Sequence, residues 1–158
     1  MANTNAPYGF QIWRSDGSIG VVCKEVQIDT NITIAYGTPL KVATDGYYTA
    51  CATNGSKIVG VAAEGVTGAA GVRPKIRMIP ALEQNTFTAQ TMTTANMTAG
   101  LVGTNKALRV SGTYFGIHGA ATPTNSILTI VGLKPGSAWG TYAELLVKIR
   151  ASGYTGQA

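Results

Sequence analysis

PLKVATDGYYTACAT, residues 39–53, decides the fold class. Two runs rich in β-formers flank Asp45-Gly46, and an Asp-Gly pair between such runs is the strongest short-range hairpin signal a sequence carries. A two-residue turn at Asp45-Gly46 pairs Thr44 with Tyr47, Val42 with Thr49 and Leu40 with Cys51. Cross-strand partners share a face, so Leu40, Val42, Tyr47 and Cys51 are expected on one side. Lys41, Ala43, Tyr48 and Ala50 then occupy the other.

Working outward, the same grammar repeats. Upstream, residues 20–28 alternate Val22, Lys24, Val26 and Ile28 with Cys23, Glu25 and Gln27, a half-buried strand. Downstream, Asn54-Gly55 marks another turn, and KIVGVAAEGV (57–66) reads as an apolar strand. Residues 73–82 are strand-like but carry Pro74 and Pro80, which predicts an edge position because proline cannot donate to a ladder. The threonine-dense stretch 83–103 favours extended backbone, with a helical turn allowed at Asn96 to Ala99. Lys106 to Val110 is another short strand, and ILTIVGL (127–133) has the continuous apolar character of a buried one. Near the end, Leu145, Val147 and Ile149 alternate with Glu144, Leu146 and Lys148. Short strands separated by turn signals predict an all-β fold, a small barrel or sandwich of antiparallel strands.

Composition agrees. Of 158 residues, 12 % are charged, about half the usual share, and 20 are glycine. No apolar run is long enough for a membrane helix, and no secretory leader pattern opens the chain, so a cytoplasmic site of synthesis is expected. Cys23 and Cys51 fall on different faces of different strands, which predicts two free thiols.

Chemistry-bearing residues are few. His118 is the single histidine and lies in the glycine-rich FGIHGAAT, where an ordinary loop residue is expected; no catalytic residue is assigned. One histidine and two separated cysteines offer no zinc spacing, and no Asp-rich loop resembles a calcium site, so neither metal nor cofactor is expected. GVTGAAG (65–71) lacks the lysine and following helix of a phosphate loop. Arg73, Lys75 and Arg77 are different: at period two they project from one strand face as a basic stripe. It reads either as a contact for an acidic partner or as a charged guard on an exposed edge.

The first thirteen residues, MANTNAPYGFQIW, hold no charge but crowd Tyr8, Phe10, Ile12 and Trp13 together. A free tail is normally charged and poor in aromatics. Each of these groups is worth roughly 1.5–3 kcal/mol when buried. Residues 1–18 are therefore expected to form an extended arm that docks on its own domain or on a neighbour, with 19–158 as a single body. Asn3, Asn5, Pro7, Tyr8, Phe10 and Trp13 are its candidate contact residues.

With the strands laid out, the chain resembles the head decoration, or cement, proteins of tailed bacteriophages. The resemblance rests on the opening MANTNAPYGF, a G-x-P-L-x-V element from Gly37 to Val42, and IVGV at 58–61. An R-P-K strand after a Gly-rich loop and the closing WGTYAELLVKI complete it. It implies a structural virion protein on the phage head exterior that stabilises the capsid by bridging neighbouring major capsid proteins of HK97-like fold. It further implies self-association, a homotrimer with a dimer as the alternative; from the residues themselves no membrane partner is expected, and the stripe lacks the interleaved aromatics that would favour nucleic acid. Two other readings remain open at this point. One is an OB- or SH3-like binding module for nucleic acid or carbohydrate; the other is a tail or connector structural protein.

Overall fold

Twelve antiparallel strands form two five-stranded sheets and one hairpin in the computed structural model, which describes residues 3, 8–16, 20–53, 57–119 and 126–150. The first sheet contains β1 (Gln11–Ser15), β7 (Asn85–Gln90), β12 (Glu144–Ile149), β11 (Leu128–Leu133) and β8 (Asn105–Lys106), in that spatial order. The second orders β2 (Lys24–Gln27), β6 (Lys75–Pro80), β5 (Gly60–Ala62), β3 (Pro39–Val42) and β4 (Tyr48–Ala50). β9 (Leu108–Ser111) and β10 (Tyr114–Ile117) form a separate hairpin, tied to the first sheet by a parallel bridge from Ile117 to Thr91, just past the end of β7. The all-β expectation is met. A single parallel bridge from Ile28 to Tyr48 ties the end of β2 to β4, but no ladder closes the second sheet, so the arrangement is an open sandwich and not a barrel.

Two hydrophobic clusters hold it together. The larger joins Phe10, Phe87, Leu128 and Val147 of the first sheet with Cys51, Val61 and Ile79 of the second and Phe115 and Ile117 of the hairpin. The smaller lies on the opposite face of the second sheet, built from Val26, Ile28, Ile34, Leu40, Ala62, Ile76 and Met78. The second sheet is thus buried on both faces over part of its area, and this corrects the hairpin reading. The observed pairs are Leu40 with Ala50, Lys41 with Thr49 and Val42 with Tyr48, one residue out of the expected register. Ala43 N–H donates to Tyr47 O, leaving a three-residue loop closed by Gly46 at φ +86°. Such loops carry a glycine in the left-handed region at their last position. Leu40 and Cys51 therefore enter different clusters instead of sharing a face. Both are buried because both faces are.

The proline argument for 73–82 also yields. β6 lies between β2 and β5, an interior position and not an edge. Pro74 precedes the strand and Pro80 is its last residue, opposite Gly60 alone, so no ladder donor is lost in the middle. Gly60 itself is required there, since a Cβ would sit 2.5 Å from the Met78 side chain.

The alternation expected of β12 is realised: Leu145, Val147 and Ile149 are buried between half-buried neighbours. β11 is buried at Leu128 and Ile130, and a register shift after Ile130 turns Val131 partly outward. The helical turn comes later than expected, as a 3₁₀ turn at Ala99–Leu101. Lys106 to Val110 is divided at Ala107, where the chain leaves the first sheet for the hairpin.

Candidate functional site

Most of the expected arm that the structure describes belongs to the body. β1 runs antiparallel to β7, with Gln11 opposite Thr88 and Ile12 opposite Phe87. Phe10 is fully buried in the larger cluster, and its N–H donates to Gly37 O at 2.8 Å. Gly9 and Gly37 make this crossing possible. Both have positive φ, and a Cβ on Gly9 would lie 2.7 Å from Gly37 O. Tyr8 sits half-buried beyond them, with Lys134 Nζ 5.3 Å from its ring centroid. Burial raises the pKa of its phenol, a rise that Glu144 reinforces and Thr88 and Lys134 oppose. Burial alone would lower the Lys134 pKa, but the hydrogen bond to Glu144 and the neighbouring charges outweigh it, and the pKa is raised.

Asn3 docks on the same side of the molecule. Its Nδ2 donates to Ala138 O at 2.8 Å and Thr141 O at 2.9 Å, while its Oδ1 accepts from Ser137 Oγ and Ala138 N–H. Ser137 Oγ in turn accepts Glu144 N–H at 3.0 Å. The loop between β11 and β12 is therefore a receptor for Asn3, a role nothing in KPGSAWG signals from sequence. Asn5 and Pro7 lie outside the described residues.

Trp13 behaves unlike its neighbours. The β1–β7 register shifts between Ile12 and Arg14, so Trp13 occupies a bulge with no opposite residue. This large aromatic is 43 % exposed, on the face opposite to that of Ile12. β1 is the terminal strand of its sheet, and no described strand pairs along its outer side. An open edge and an exposed tryptophan thus coincide.

Arg73, Lys75 and Arg77 are all exposed, Lys75 and Arg77 on β6 and Arg73 two residues before it. They do not make an unbalanced patch. Lys75 pairs with Glu25 at 3.0 Å, Arg77 with Glu64 at 3.4 Å and Arg73 with Asp29 at 3.7 Å. Arg73 also lies 4.0 Å above the Tyr47 ring. Three cations face three carboxylates, so little positive field extends past a screening length of about 8–10 Å. The acids come from separate segments of chain, which is why the stripe alone was visible in sequence.

The remaining nucleophiles are separate from these regions. Cys23 is exposed and Cys51 buried, both free thiols as expected; burial pushes Cys51 up to about 12, with Lys41 opposing. His118 follows β10, with Arg109 Nη1 3.5 Å from its Nε2. Burial lowers its pKa, assisted by the charges of Arg109 and Lys106. Among the described residues no three His, Cys, Asp or Glu side chains gather as a metal site, and no helix is long and apolar enough to cross a membrane. Comparison with known proteins finds no matching family model, no matching curated protein and no matching solved structure.

Proposed function

We propose that the protein is a structural component of a tailed-phage head, a decoration protein that bridges neighbouring major capsid proteins on the outside of the shell. The observation that carries this reading is the bulged Trp13 on the open edge of β1. Tryptophan is among the residue types enriched at the hot spots of protein interfaces, and a terminal strand edge offers backbone groups to a neighbour. The low charge density of the chain supports it too, because few charges need desolvation when two surfaces close. Self-association as a trimer, or a dimer, would multiply weak contacts through high effective concentration. The nucleic-acid alternative is weakened by the carboxylates that occupy the basic stripe.

The test mixes the purified full chain with expanded, empty phage shells and sediments them, with the mass of the free protein measured by light scattering. Saturable co-sedimentation and an oligomeric mass are expected. A monomer that stays in the supernatant at roughly 10 μM, where interfaces of ordinary size are occupied, overturns the proposal.

A further inference from the structure

We infer that the cleft between the N-terminal crossing and the β9–β10 hairpin is a binding site for a neutral saccharide. It has a volume of about 240 Å³, and Tyr8, Tyr36, Tyr114, Phe115, Thr38 and Thr113 line it. Its place is fixed by backbone. The Gly9–Gly37 contact holds Tyr8 and Tyr36 beside each other on one wall. On the other, Ser111 pairs with Tyr114, and Gly112 takes φ +60° in the two-residue turn between them. A glycine at that first position is what a type II′ hairpin turn needs, and such a turn presents Thr113 and Tyr114 rigidly.

Three features define the occupant. Among the described residues no charged side chain lines the cleft, so an ionic ligand would meet no counter-charge from them. Tyr36 and Tyr114 remain 47 % and 57 % exposed, leaving aromatic surface in water at the rim. A π-face carries negative potential, and the polarised C–H groups of a sugar ring's flat side meet it favourably. Among the described lining residues the polar side-chain groups open to water are the hydroxyls of Tyr36, Thr113 and Tyr114, the Tyr8 hydroxyl and Thr38 being buried. Each hydroxyl both donates and accepts, which matches the hydroxyls of a polyol. The volume falls below the usual range for drug-sized ligands, so one or two sugar units fit and the rest of a chain would run out along the rim. The inference stands independently of the capsid reading.

The experiment screens the full chain against immobilised neutral oligosaccharides of glucose, mannose, galactose and N-acetylglucosamine, with a polyproline peptide in parallel. Positives are then titrated in solution. At least one saccharide is expected to bind saturably at millimolar affinity or better, with little change between about 50 and 500 mM salt, because no charge pairing is involved. Tyr114→Ala and Tyr36→Ala should each weaken it about tenfold or more, while Tyr114→Phe, which keeps the ring, retains most of it. Circular dichroism of each variant confirms the fold. Absence of binding to every saccharide, binding untouched by both alanine variants, or preference for the polyproline peptide overturns the assignment.

Discussion

The stripe on β6 and the outer edge of β1 both present a row of groups to water, yet they stand in opposite states. On β6 and the turn of chain leading into it, each of Arg73, Lys75 and Arg77 has a carboxylate from a neighbouring segment within 4 Å. On β1, the described strands pair only on the β7 side, and Trp13 stands large and exposed. Conspicuous chemistry marks the first region and incomplete pairing the second. An interface is better sought where the chain leaves a surface unmatched than where it concentrates charge.

Substitutions can break or sharpen that contrast. The largest effect is expected from Phe10→Ala, which empties a fully buried site beside the strand and should cost about 3–5 kcal/mol in denaturant unfolding. A loss under about 1 kcal/mol would mean that β1 is not anchored in its own core. Trp13→Ala comes next. It should lower stability by at most about 1 kcal/mol but weaken shell binding roughly thirtyfold, the scale of a hot-spot residue. A large stability loss with unchanged binding would assign Trp13 to the fold and dissolve the contrast. Smallest is the combined change Arg73→Gln, Lys75→Gln and Arg77→Gln, which removes three exposed ion pairs. Each exposed pair is worth about 0–1 kcal/mol, and the difference from the parent should shrink as salt rises. A combined loss well above about 3 kcal/mol would make the stripe a structural element in its own right.

The sequence was most readable where one face of a strand is buried and the other is not. Leu145, Val147 and Ile149 gave β12 its period directly. β7 was opaque for the opposite reason: all six of its residues are buried, although Asn85, Thr86, Thr88 and Gln90 are polar. They tolerate burial partly through local acceptors, with Asn85 Nδ2 donating to Pro80 O and Gln90 Nε2 to Tyr142 O. Those acceptors are placed by tertiary structure and leave no periodic trace. The hairpin register failed in a related way: Gly46 closes a three-residue loop, and with both faces buried, Leu40 and Cys51 found apolar homes in different clusters that the pattern could not tell apart. At the candidate site, the aromatic content of residues 8–13 was visible, but which face of the segment is buried depends on its pairing with β7, distant in sequence.

The pairing of β1 with β7 also has a consequence for time. Gln11 is made early on the ribosome, but its partner Thr88 emerges much later, and β12, which flanks β7, later still. At about 5–20 residues per second, that is a delay of several seconds. Throughout it, the aromatic strand has no sheet to join, and contacts so distant along the chain are slow to form. β1, made before every other described strand, is thus among the last to be placed, and crowded nascent chains have an interval in which they can exchange it.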